Sequence, residues 1–139
     1  MNAPTDLLQV AARFYDAVNQ LQRGDPAPML AVWSHSAQAT NLGPQGGRQQ
    51  GWADIAAYFA RAAELAVATL GAVTASASDL VGVSGGELAY TCCTEHVQVT
   101  RQGEITRFSA RATHVYRREA GAWKLLHRHA DAPPAAADA

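Results

Sequence analysis

The hydrophobic period of this chain changes once, near Thr69, and that change limits the folds open to it. Before it, apolar residues recur at helical spacing. Leu7, Val10, Ala11, Phe14, Val18 and Leu21 share one stripe, because residues three and four apart lie on one helix face. Thr5 and Asp6 suit the start of that helix, Gly24 suits its end, and Pro26 blocks its continuation. A short second helix is predicted from about Pro28, with Met29, Leu30 and Trp33 on its apolar side. A third, GWADIAAYFARAAELA, places Ile55, Tyr58, Phe59, Ala62 and Ala63 together. Between them SAQATNL reads as a strand entering the turn GPQGG, which carries no phosphate-loop pattern. After Thr69 the period is two. TLGAVTASASDLVGV, ELAYTCCTEHVQVT, EITRFSARATHVYRRE and WKLLHRHAD are β-prone runs separated by short turns. The last three read as an antiparallel meander.

Helices followed by an antiparallel sheet imply an α+β fold: three N-terminal helices packed on one face of a strongly curved sheet. Such a sheet, closed by helices on one side, makes a cone-shaped α+β barrel whose interior suits a small molecule. Residues 1–132 read as a single domain without repeat or linker. Residues 133–139 have nothing to bury and read as a mobile tail.

Charge narrows the partners. Lys and Arg number 11 against 12 Asp and Glu, a net charge of −1. That balance gives no electrostatic case for nucleic acid. No run of 18 apolar residues is present, so no membrane span is expected. MNAPTDLLQ has neither the basic start nor the apolar run of a secretory signal, which points to the cytoplasm. Cys92 and Cys93 are adjacent and would point to opposite sides of a strand, a poor geometry for a mutual disulfide. Reduced thiols packed as small apolar groups are expected.

Three stretches carry a family resemblance. AARFYDAVNQLQRGDPAPMLAVWS, GPQGGRQQGWADIAAYF and ARATHVYRREAGAWKLLHRHADAP resemble the opening helix pair, the passage into helix three and the final hairpin of the nuclear transport factor 2-like superfamily. The chain is similar to its SnoaL-like and ketosteroid-isomerase-like bacterial members, and to the association domain of calmodulin-dependent kinase II. The resemblance implies the fold above from about Asp6 to Pro133. It leaves function open, since the fold hosts enzymes, scaffolds and transport factors. The ketosteroid isomerase set needs a carboxylate base, a tyrosine and a protonated aspartic acid. By alignment the base position falls on Gly43 and the tyrosine position on Phe14, with Tyr15 next to it. From Ala89 to Trp123 the acids are Glu95, Glu104 and Glu119, none of them an aspartate. The isomerase constellation is therefore absent. In the kinase domain an arginine-lined pocket falls, by the same alignment, on Cys92, His114 and Ala130, so its ligand preference does not transfer.

Strand parity carried over from that resemblance turns Tyr90, Cys92, Thr94 and His96 inward on one strand. It does the same for Ala110, Ala112, His114 and Tyr116 on the next, and Leu126, Arg128 and Ala130 on the last. Glu95, Arg111, His127 and His129 then belong to the outer face, and Val97, Val115 and Leu125 are exposed apolar positions needing cover. His127 and His129 share a face and could give two metal ligands. A metal site needs a third and usually a fourth, so no metal and no cofactor is expected. Two histidines in a sheet-to-sheet contact is the alternative reading.

His114 is the candidate general acid–base group, because imidazole titrates near neutrality. A hydrogen-bonded core histidine is the other reading. Arg128 facing inward calls for an anionic ligand, or for a salt bridge to a helix acid such as Asp16 or Glu64. Phe14, Trp33, Asn41, Trp52, Tyr58, Tyr90, Cys92 and Thr94 are candidate pocket residues, with Asn41 able to orient a carbonyl or to bond the GPQG turn. The expected ligand is a small apolar or weakly anionic molecule carrying a carbonyl or carboxylate. The expected assembly is a homodimer through the outer sheet face. An acid–base enzyme and a non-catalytic binding or assembly module both fit.

Overall fold

The computed structural model describes residues 5–69 and 72–132 of the chain; the tail assigned to residues 133–139 lies outside them. Its elements run α1 (Thr5–Leu21), α2 (Ala27–Val32), β1 (Thr40–Leu42), β2 (Gln49–Gln50), α3 (Trp52–Thr69), β3 (Ala72–Gly85), β4 (Leu88–Arg101), β5 (Glu104–Glu119) and β6 (Ala122–Asp131). The strands form one curved sheet in the order β2-β1-β6-β5-β4-β3. β3 to β6 are an antiparallel meander, and β1 joins β6 in parallel. This is the α+β architecture implied by the change of period.

Most of each helical stripe is buried, although Tyr58 of α3 is 41 % exposed and Val18 of α1 is half-buried. Leu7, Val10, Ala11, Phe14 and Leu21 of α1 lie in the core, with Met29, Trp33, Ile55 and Phe59. Gly24 ends α1 at φ +84°, and a Cβ there would come within 2.7 Å of the Val67 side chain. Glycine is thus required both by backbone conformation and by the close passage of α3. Two-residue hairpin turns at Gln102–Gly103 and Ala120–Gly121 have positive φ at both positions, matching the twist of the long strands they join.

Two register breaks decide which side chains look inward. In β3 the pairing with β4 shifts between Ser78 and Val81, with Asp79 at φ +55°. In β6, Val115 pairs with His127 but Tyr116 pairs with Leu125, so Leu126 is an extra residue. The bulge reverses the alternation. Trp123 and Leu125 before it, and Arg128 and Ala130 after it, are all buried, while Leu126 is half-buried. Leu125 is therefore core, not an exposed apolar position. On β4 the inward set is Ala89, Thr91, Cys93, Glu95 and Val97. Thr91 and Glu95 are each 2 % exposed, whereas Tyr90 is 42 % exposed. The parity carried over for β4 is thus reversed. On β5 Ala110, Ala112, His114 and Tyr116 are buried in the orientation expected.

Candidate ligand cavity

Registration places Asn41 of β1, Arg128 of β6, His114 of β5 and Thr91 of β4 side by side in one row. All four are buried on the helix-facing side of the sheet. Above this row, Phe14 and Tyr15 of α1 come down from the helix layer.

Arg128 is the centre of the cluster. Its Nη1 and Nη2 donate to Glu95 Oε1 and Oε2 at 2.6 and 3.1 Å. The fork-to-carboxylate geometry is the strongest that an arginine makes. The Tyr15 hydroxyl donates to Glu95 Oε1 at 2.8 Å, and the guanidinium lies 4.8 Å from the centre of the Phe14 ring. Burial first, then the neighbouring Glu95 charge, pushes the Tyr15 phenol far above its ordinary value, so it remains a donor. The carboxylate partner of Arg128 is therefore a strand residue of the same chain. Neither Asp16 nor Glu64 fills that role. Glu95 is correspondingly inside the molecule and not on its outer face.

His114 completes the cluster from below. Its Nε2 is 3.2 Å from Arg128 Nη1, and its Nδ1 is 3.3 Å from the Tyr116 hydroxyl. An arginine N–H can only donate, so Nε2 accepts and the proton sits on Nδ1. Tyr116 in turn meets Thr91 Oγ1 at 3.0 Å. Burial, with the Arg128 charge second, holds the His114 pKa well below the ordinary histidine value. The ring is neutral, fully partnered and packed edge-on against Phe14 at 4.6 Å.

Beside this cluster a cavity of about 350 Å³ opens between α1, α3 and the sheet. Val18, Leu21, Phe59, Ala62, Val97 and Phe108 give apolar walls, and Tyr15, Glu95, Arg128 and Asn41 supply its polar part. Arg101 and Gln45 are exposed residues among its lining. The Asn41 amide donates to Gln49 Oε1 at 2.8 Å, while its Oδ1 is buried without a partner.

Of the residues singled out from sequence, Phe14, Asn41, Tyr58 and Arg128 line this cavity. His114 touches Arg128 but is not part of the lining. Trp33 is wholly buried core, and Trp52 stacks on His35 at 3.7 Å. Tyr90, Cys92 and Thr94 are on the opposite face: Tyr90 pairs with Val115, Cys92 with Thr113 and Thr94 with Arg111. Tyr15 and Glu95 are polar cavity residues that sequence reasoning left out of the pocket, and Val97, read as an exposed outer position, lines the cavity as well. A signal for Glu95 was available, since Val97 and Val99 share its strand parity and the chain offers no other acid inside β4.

The outer face carries the histidine pair. His127 Nδ1 is 2.7 Å from Thr40 Oγ1, and the two imidazoles are 6.5 Å apart. Among the described residues no group of three or more His, Cys, Asp or Glu is placed to hold a metal ion. Nor is any described helix long and apolar enough to cross a membrane. Arg111 and Asp131 form an exposed ion pair on the same face.

The SnoaL-like domain model matches residues 7–135. The chain belongs to the SnoaL-like family. Its fold is that of nuclear transport factor 2-like proteins. A proposed dehydratase of that family from Streptomyces avermitilis superposes with a TM-score of 0.76 at 20% identity, over 94% of this chain and 95% of the other. A protein of unknown function from Pseudomonas putida gives 0.77 at 20% identity, over 93% and 85%. A proposed calcium/calmodulin-dependent protein kinase II association domain from Xanthomonas campestris gives 0.72 at 19% identity, over 96% and 94%. No curated protein matches this SnoaL-like chain.

Proposed function

We propose that this SnoaL-like protein binds a neutral, mainly apolar small molecule in the cavity between α1, α3 and the sheet. The observation carrying this reading is the closed Glu95–Arg128 pair among the cavity's polar groups. An unpaired buried arginine would have favoured an anion. Here its charge is matched by an acid that also lines the cavity, so a carboxylate or phosphate placed beside it would meet Glu95 as well. Apolar walls then favour an uncharged body with one polar end. Any acid–base step at that end would use Glu95, with Tyr15 as a hydrogen-bond donor to it and His114 holding Arg128 in place. Two reduced, unpaired cysteines suit a cytoplasmic setting.

Native mass spectrometry of protein purified from cells, compared before and after denaturation, tests the reading. A retained neutral organic molecule is the expected result, absent in Ala62→Trp, where the larger side chain fills the cavity. An empty wild-type protein whose ligand responses match those of Ala62→Trp overturns it.

A second reading rests on a separate observation. Val81, Val83, Leu88 and Tyr90 are large apolar residues 42 to 57 % exposed, and all lie on β3 and β4. Paired positions Val83, Tyr90, Val115 and His127 form a row on the face away from the cavity. A second copy of this chain across that face would cover them, in keeping with the likeness to an association domain. Tyr90→Asp is expected to convert a dimer to a monomer in light scattering; a wild-type monomer at micromolar concentration sinks this reading.

A further inference from the structure

The unused hydrogen-bonding capacity of the cavity's polar groups indicates what the ligand's polar end must be. Asn41 is 2 % exposed and sits opposite Arg128 in the parallel β1–β6 pairing. Gln49 engages one end of its amide. Asn41 is among the residues lining the cavity, and the other end of its amide, Oδ1, is buried without a partner. A buried acceptor left alone costs on the order of 1–3 kcal/mol, a cost an apolar side chain of the same size would avoid.

Glu95 points the same way. A carboxylate offers about four acceptor positions. Among the described residues three are taken, by Tyr15 and by two arginine nitrogens. The position left is on Oε2, again an acceptor.

We propose that Asn41 Oδ1, assisted by Glu95 Oε2, reads a hydrogen-bond donor on the ligand, so that the cavity selects a neutral alcohol over an ether or a carboxylate of the same shape. This deepens the pocket reading above and rests on it. Two acceptors repel the oxygens of an anion and leave an ether oxygen without a partner. A hydroxyl donates its one hydrogen to one of them and has no negative charge for the other to repel. Arg101 is the one unengaged positive charge among the lining residues that are described, but it is exposed to water, where its attraction is screened.

The test uses three probes with one apolar body: 2-naphthylmethanol, its methyl ether and 2-naphthoate. Binding is measured by calorimetry on wild type, Asn41→Leu and Ala62→Trp. The alcohol is expected to bind wild type about 10-fold more tightly than the ether, and more tightly still than the carboxylate. In Asn41→Leu the alcohol and ether should come within about 2-fold of each other. Should Asn41→Leu fail to fold, Asn41→Ala carries the same expectation. Equal binding of alcohol and ether to wild type, or tightest binding of the carboxylate, overturns the donor-reading proposal. If Ala62→Trp still abolishes that binding, the pocket reading survives. Failure of all three probes to bind any variant removes both.

Discussion

Among the described residues, an arginine grips both oxygens of a carboxylate on each face of the sheet. Arg128 and Glu95 meet at 2.6 and 3.1 Å on the helix-facing side. Arg111 and Asp131 meet at 2.9 and 2.8 Å on the other. By bond geometry they are nearly equal. By solvent they are opposites: the inner side chains are 9 and 3 % exposed, the outer ones 75 and 51 %. Burial costs both ions their hydration, and their mutual attraction, strengthened by the lower dielectric, offsets that loss only while the pair is intact. In water the same two bonds replace bonds to solvent of similar strength. Equal distances therefore do not imply equal worth.

The largest expected effect comes from separating the inner pair. Glu95→Met or Arg128→Met alone should lower unfolding free energy by about 3–5 kcal/mol in urea titration, because each leaves a buried charge unmatched. The double variant should recover most of that loss, since two apolar side chains need no partner. Additive losses in the double variant would show that each residue acts through other contacts and not through the pair.

Next in size is the hydroxyl that caps the pair. Tyr15→Phe removes one donor from Glu95 and is expected to cost about 2 kcal/mol, the range for a hydrogen bond to a charged group. Arg128 still holds Glu95 in that variant, so the loss should be smaller than for either partner of the pair. A loss as large as that of Glu95→Met would mean that α1 packing, not the hydrogen bond, is at stake.

These effects also show what the chain reveals before it folds. The helical stripes of α1 and α3, the turn glycines and the order of the elements are local properties, and each was legible. Which face a strand residue takes is not local. One bulge at Leu126 lets Leu125 and Arg128 both point inward, which strict alternation forbids. On β4 the alternation itself is even, but borrowed parity set it one residue out. That single step placed Tyr90, Cys92 and Thr94 in the pocket and Glu95 outside it. The need for a negative charge beside Arg128, from a ligand or from the chain itself, was readable from its own charge. Its identity was not, because Glu95 reaches across β5 from two strands away and only the register of three strands brings it there. Asn41 was named a pocket candidate from its place near the start of the pocket wall in the family it resembles, but its free acceptor depends on where Gln49 lies.

The histidines extend the contrast to pH. His114 is neutral in the fold because burial, and then Arg128, oppose its charge. Unfolded, it titrates near 6.5. A base whose folded pKa is depressed gives stability that is complete above the unfolded value and lost as pH falls below it, where the unfolded chain takes up a proton that the native state refuses. Stability should therefore decline as pH falls below about 6.5, with a slope no greater than about 1.4 kcal/mol per pH unit from this residue. His114→Gln should flatten that decline in urea titrations run at each pH. His127, half-buried on the outer face and lowered by burial and then by His129, contributes with the same sign. The decline left in His114→Gln should disappear on adding His127→Gln. An unchanged slope in the double variant would assign the pH dependence to other groups.

The smallest effect is expected at the outer pair, and it is the sharpest check on the comparison. Arg111 holds the Asp131 carboxyl below its ordinary range through their hydrogen bonds, so the pair forms at neutral pH. Both groups nevertheless stand in water, where salt screens them and side-chain ordering opposes them. Asp131→Asn should leave the urea midpoint of the monomer within error at low salt and at 1 M salt alike. If it destabilises as strongly as Glu95→Met at every protein concentration, burial is not what separates the two pairs. If it weakens the protein only at concentrations where two copies associate, the outer face is covered in the dimer. The outer pair then becomes a partly buried one, subject to the rule that already governs Arg128 and Glu95.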